Sequence, residues 1–262
     1  MTEPATPLAP VARLAGVNVT FEDARRGTAA TILDGLSLDV AAGEFLVIVG
    51  RSGCGKTTVL NLLAGLIDPQ AGSVQIQGEA PRASRHHIGY MFARDALIPS
   101  RTARGNVEIG LEVRGVPAAQ RRARAQELMD RLGLAGAESR YPWQLSQGMR
   151  QRVALARTWA LAPALLLMDE PFAALDAQTR DAARAQFLDL WERNRSSVIF
   201  VTHDLTEALL LGDRVIMMGP QGRILEDLRL SFARPRDPAE LPFTDAFRAH
   251  ERRLRTLLGQ PP

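Results

Sequence analysis

The chain has 262 residues, 46% of them apolar and 23% charged, enough for one sizeable folded domain or one domain with an inserted lobe. Its 32 basic and 29 acidic residues leave a surplus of only +3, which argues against a protein that coats a polyanion, and no nucleic-acid partner is expected. A single cysteine, Cys54, excludes an internal disulfide framework and a multi-cysteine metal site, and suits a reducing compartment.

Residues 1–10 carry three prolines and read as a flexible lead-in, without the basic flank and apolar stretch of a secretory signal. From Leu14 the pattern alternates, and Val17, Val19 and Phe21 fall on one side of a predicted strand. Ser37 to Val40 is a second strand-like run. Phe45 to Val49 is short and wholly apolar, which predicts a strand buried on both faces. A glycine-rich turn follows, then a predicted helix over Thr57 to Ala64 that Gly65 can stop. Gly72 to Gln77, with Val74 and Ile76, reads as an edge strand. From about Ala93 to Arg157 strand signal is scarce, and Gln120 to Leu132 has helical spacing, with Leu128 and Leu132 four apart. This middle part is expected to be a helical lobe inserted into a sheet domain. Its cluster from Arg121 to Arg131 includes Glu127 and Asp130 and no aromatic residue, as a solvated helix face would.

Strand signal returns at Leu165 to Met168, Ser197 to Val201 and Arg214 to Met218. Strands separated by helical stretches imply a parallel sheet with crossover helices. Phe247, Leu254 and Leu258 give the stretch from Phe243 to Leu258 near-helical spacing, expected to pack on its own domain. The clearest apolar stretch, Ala160 to Met168, is broken by Pro163 and falls short of the roughly 20 residues a spanning helix needs. If the chain works at a membrane, it needs a partner that spans.

Three local patterns carry chemistry. Gly50-Arg51-Ser52-Gly53-Cys54-Gly55-Lys56-Thr57 fits the phosphate-loop pattern in full, between a buried strand and a helix. Such a loop turns successive backbone N–H groups toward phosphate oxygens at a helix N-terminus. Lys56 is expected to reach the β- and γ-phosphates and Thr57 to offer its hydroxyl to Mg2+. Leu165 to Glu170 is an apolar strand ending in two acids. Asp169 stands where open α/β sheets bind ligands and is expected to hold Mg2+ through water, and Glu170 is the natural general base for an attacking water. His203 follows another apolar strand and is expected on the same rim. The third pattern, Leu145 to Arg152, opens a helix with Ser146 as N-cap and Gly148 leaving the first turn bare for an anion. A second anion-binding helix start is redundant within one nucleotide site and makes sense if it serves the site of another copy.

From about Leu14 to Arg223 the sequence resembles the ABC ATPase family: GRSGCGKTT resembles its phosphate loop, LSQGMRQR its signature and LLLMDEP its acidic strand. Ala174-Leu175-Asp176 is similar to the loop that crosses the family's dimer interface, His203 to its switch histidine, and Phe21 to the ring that stacks on adenine. The resemblance implies an α/β fold of the P-loop NTPase (RecA-like) kind. Its mostly parallel sheet core would carry an N-terminal antiparallel β lobe and an inserted α-helical lobe. It implies a nucleotide-binding domain over residues 11–232 with the lobe at about 93–157, and a short helical tail over 233–262.

It also implies an ATPase with ATP and Mg2+ as cofactors. Glu170 and His203 would be catalytic. Phe21, Gly50, Arg51, Ser52, Gly53, Cys54, Gly55, Lys56, Thr57, Thr58, Ser146, Gly148 and Asp176 would hold nucleotide, and Thr57 and Asp169 the metal. The implied partners are a second ATPase subunit, an identical copy being the expected one, a membrane permease and, through it, a substrate-binding protein. The implied place is peripheral, on the cytoplasmic face of the inner membrane.

Two residues depart from the family pattern: Ala93 stands where a glutamine is usual, with Arg94 and Asp95 as open candidates to replace it, and Gln147 stands where glycine is commoner. GYMFARDALIPSRTARGNV, YPWQLSQGMRQR and DRVIMMGPQGRI resemble the nitrate, sulfonate and taurine importer branch. Leu97, Ile98 and Pro99 are expected either to meet a permease helix or to pack inside the lobe. Two other readings stay open: a soluble ABC ATPase outside transport, and a nucleotide-binding module with impaired hydrolysis, motivated by Ala93.

Overall fold

The computed structural model describes residues 10–23 and 28–259, so the expected lead-in lies, except for Pro10, outside the described residues, as does the end of the expected tail. Two units divide the chain, Met1–His86 with Ser197–Pro262 and His87–Ser196.

The first unit opens with strands β1 (Ala12–Asp23) and β2 (Thr28–Val40), followed by β3 (Phe45–Gly50), helix α1 (Lys56–Leu63) and strand β4 (Ala71–Ile76). β1 lies between β2 and β4 in a three-stranded antiparallel sheet, so β4 is an edge strand as expected. β1 buries Leu14, Val17 and Val19, but register shifts along it break the strict alternation, and Phe21 stays 48% exposed instead of following the valines inward. β2 runs well beyond the expected Ser37–Val40. Its first residues, Ala29 to Thr31, are exposed and give no apolar signal.

All six residues of β3 are buried, each full burial of a large apolar side chain contributing about 1.5–3 kcal/mol. That burial anchors the strand from which the following loop departs.

The second unit contains β5 (Ile88–Met91), α2 (Ala103–Val113), α3 (Ala118–Arg131), α4 (Gln147–Ala160), β6 (Leu165–Asp169) and α5 (Ala177–Asn194). β5 and β6 pair in parallel, from Ile88 opposite Leu165 to Met91 opposite Met168. Trp159 of α4 and Phe172 both pack on Phe187 of α5, with ring centroids 5.7 and 6.0 Å apart. Buried Asn106 ties down the preceding loop, accepting from the Ile98 N–H at 2.7 Å and donating to the carbonyls of Ile98, Arg101 and Thr102. Leu97 of that loop is buried, while Pro99 is exposed. On α3, Arg124 and Arg131 both pair with Glu127, and Arg121 approaches Glu108 of α2.

The chain then returns to the first unit with β7 (Ser197–Thr202), α6 (Leu205–Leu211), β8 (Arg214–Met218), β9 (Ile224–Arg229) and α7 (Asp245–Leu257). β7 and β8 flank β3 in parallel, and β9 closes on β8 antiparallel. The tail is stapled to α6. Arg234 donates to Asp213 at 2.9 Å, and Arg236 donates to the carbonyls of Leu210 and Gly212 at the helix end. α7 buries Phe247 and Leu254 and packs against α6, as its spacing predicts. Among the described residues no helix is long and apolar enough to cross a membrane.

Candidate functional site

In the first unit β3 ends at Gly50 and α1 starts at Lys56, with a tight loop between, in which the Cys54 N–H bonds the Arg51 carbonyl at 3.3 Å. Gly50 has no room for a side chain: a Cβ there would lie 2.3 Å from the Met218 carbonyl oxygen and 2.8 Å from Cys54 Sγ. No described side chain caps α1. Its first-turn N–H groups and the positive end of its dipole therefore face the loop, as an anion site requires. Lys56 is 7% exposed and curls over the loop, donating to the carbonyls of Gly50 at 2.8 Å and Arg51 at 3.1 Å.

Phe21 and Ile32 of the antiparallel sheet line a cleft of about 190 Å³ with Gly53, Gly55, Lys56, Thr57 and Thr58. The ring is thus beside the loop. Arg51 and Ser52 are exposed, whereas Cys54 is buried. Burial pushes the Cys54 thiol above its ordinary range, against the opposing pull of nearby Lys56.

His203 joins this group through strand register. Val49 of β3 is opposite Thr202 of β7, so Gly50 and His203 leave parallel neighbours at one edge. Sequence reasoning named His203 but missed the frame that holds it. Thr202 Oγ1 donates to buried Glu207 at 2.6 Å and accepts from the Asp204 N–H at 3.0 Å, while Asp204 caps α6 by accepting from the Glu207 N–H. A carboxylate three residues after a capping aspartate was a readable signal for it.

The second unit carries the remaining predicted residues. Asp169 ends β6 and Glu170 follows, both half-buried. Glu170 has φ of 45°, a left-handed backbone that side chains other than glycine seldom adopt and that is enriched at functional sites. On β5, Tyr90 pairs with Leu167, and burial together with the Asp169 carboxylate holds its phenol well above the ordinary range.

Ser146 is exposed and caps α4, its hydroxyl accepting from the Met149 N–H at 3.2 Å. Gly148 is buried in the first turn of α4. A Cβ there would lie 2.4 Å from Thr179 Cγ2, so its lack of a side chain lets α5 pack on the first turn of α4. Asp176 caps α5 by accepting from the Thr179 N–H at 3.0 Å, and bonds from Thr179 keep its carboxyl below the usual range.

Of the two candidates to replace a glutamine at Ala93, Asp95 is committed elsewhere. Its carboxylate pairs with Arg150 at 3.0 Å and its carbonyl accepts from Arg157. Arg94 is exposed. Gln151, which sequence reasoning passed over, is buried on α4 and donates from Nε2 to the Pro171 carbonyl.

A family model described as "ABC transporter" matches residues 33–173. An uncharacterised ABC transporter ATP-binding protein of Methanocaldococcus jannaschii is 43% identical over 220 residues, covering 84% of this chain and 82% of that protein. The taurine import ATP-binding protein TauB of Shigella flexneri is 46% identical over 207 residues, covering 77% and 80%. Among solved structures, a dimeric post-hydrolysis ATP-binding cassette bound to ADP and Pi superposes with a TM-score of 0.76 at 31% identity, over 85% of this chain and all of that one.

Proposed function

We propose that this chain, which belongs to the ABC transporter family and is an ATP-binding, ATP-hydrolysing subunit of importer type, works as one half of a nucleotide-sandwich dimer that drives solute uptake through a separate permease. The observation that carries this reading is the division of the predicted chemistry. One unit has the phosphate loop, Phe21 and His203. The other has the acids Asp169 and Glu170 and a second, serine-capped helix start at Ser146. The dimeric state of the post-hydrolysis cassette structure, which holds both ADP and Pi, supports pairing. Relatedness to taurine import subunits at about 45% identity supports a sulfonate-like, nitrate-like or taurine-like solute. A substrate-binding protein would deliver the solute to the permease, and the chain would sit on the cytoplasmic face of the membrane beside it. Within the chain we take residues 11–232 as the nucleotide-binding domain, about 93–157 as its helical lobe and 233–262 as a short tail.

In this reading the triphosphate lies along Gly50 to Thr58, with adenine against the exposed face of Phe21. Lys56 exchanges its two loop carbonyls for phosphate oxygens, so the charge is already in place before nucleotide arrives. For Mg2+ the proposed ligands are Thr57, in the first turn of α1, and Asp169, at the end of β6, each of which carries a hard oxygen of the kind the ion prefers. When bound, the ion supplies charge neutralisation on the phosphates. Glu170 takes the proton from the attacking water, and His203 orients the terminal phosphate. Ser146 and Gly148 of the second copy close over that phosphate with helix-start N–H groups. Asp176 belongs to the loop facing the other copy.

Glu170→Gln is expected to lower ATP turnover by roughly 10²–10⁴-fold, the usual contribution of a general base, with nucleotide binding retained. A variant that hydrolyses at the parent rate removes Glu170 from that role. For the solute, the expected outcome is impaired growth of a deletion strain on taurine or related sulfonates as sole sulfur source.

A further inference from the structure

We infer that Gln151 is a positioning residue that holds Glu170 in its working orientation. The inference rests on the reading of Glu170 as general base. Gln151 is 6% exposed, an unusual place for an amide unless it is hydrogen-bonded. Its Nε2 donates to the carbonyl of Pro171, the residue directly after Glu170. Glu170 itself is left-handed at φ 45°, a conformation that persists only where surroundings impose it.

Three contacts impose it from the C-terminal side. The Ala173 N–H bonds the Glu170 carbonyl at 3.2 Å, Phe172 is buried against Phe187, and Gln151 fixes the Pro171 peptide between them. Without the amide, the Pro171 peptide loses one of these three restraints, and the Glu170 backbone can relax toward an ordinary conformation.

Gln151 also lies on the same face of α4 as Gly148, three residues earlier. Gly148 meets Thr179, and Thr179 is bonded to Asp176. The helix that starts at Ser146 therefore touches the loop 170–176 near its beginning and the α5 start just beyond its end. A shift of α4 is transmitted to the carboxylate through Gln151 first.

The test compares Gln151→Leu, which removes the donor, in the parent and in the Glu170→Gln background, with Gln151→Met as a longer, shape-matched variant should leucine disturb folding. A displacement of about 1 Å at a reacting group can cost on the order of 10²-fold. In the parent background kcat is expected to fall about 10–100-fold with KM for ATP within about twofold. In the Glu170→Gln background the same substitution is expected to leave the residual rate, and fluorescent ATP-analogue binding, unchanged, because the residue acts through the missing carboxylate. An equal fold-loss in both backgrounds, a loss of ATP binding in step with kcat, or no loss in the parent overturns the positioning role alone. Glu170→Gln hydrolysing at the parent rate overturns the base assignment and the positioning role with it.

Discussion

At the scale of single residues, the phosphate loop is set by close contacts rather than by charge alone. Lys56 is held by two loop carbonyls, and Cys54 fills the space beside Gly50. The thiol's buried position and raised pKa predict a slow reaction. Thiolate is the reactive species, and a raised pKa lowers its fraction at neutral pH. Maleimide labelling of Cys54 is expected to lag behind a free thiol at pH 7, to accelerate as pH rises toward and past 9, and to be suppressed by MgATP. Rapid labelling at neutral pH that nucleotide does not affect contradicts this packing. The phosphate loop was fully legible in the sequence because each member has a fixed offset. The left-handed Glu170 and the amide of Gln151 were not, because neither follows from local propensity. The contacts around both join residues distant in sequence, Gln151 to the Pro171 carbonyl and Phe172 to Phe187.

At the scale of elements, strands with dense apolar runs were read almost to the residue: β6, β7 and β8 lie within a residue of their expected limits. β5 escaped notice because it is only four residues long, and α5 because its buried Ala183, Phe187, Leu190 and Trp191 are spread among many charges. β9 is half-buried along alternate positions and gives a weak signal for the same reason. Its attachment to β8 depends partly on charge. Arg214, mostly buried, donates to both carboxylate oxygens of Asp227 at 2.6 Å and lies 3.6 Å from Glu44. The bond to Arg214 holds the Asp227 carboxyl below its usual range. A depressed carboxyl pKa adds stability above the ordinary aspartate value, about 4, and loses it as pH falls through the lowered value. The melting temperature is therefore expected to drop below about pH 4 in the parent chain and less steeply in Asp227→Asn, which has no carboxylate to titrate at that position. Identical acid slopes contradict a role for the pair.

At the scale of the whole molecule, a chain of this fold and family carries the parts of a nucleotide site and, in Ser146 and Gly148, a helix start with no evident use in its own phosphate chemistry. The α/β fold class, the phosphate loop and the serine helix were all readable from sequence. What the sequence under-read was how tightly that helix is wired to the acidic loop, through Gly148 against Thr179 and Gln151 against Pro171. In the proposed pair, a second copy would give the helix start its role, and hydrolysis would be a property of the pair. Light scattering of the Glu170→Gln protein tests this most directly. ATP with Mg2+ is expected to convert it from monomer to dimer, ADP to leave it monomeric, and Ser146→Arg to abolish the conversion. A preparation that remains monomeric in ATP even beside its permease, with parent-chain turnover unmoved by changes at Ser146, contradicts the shared site.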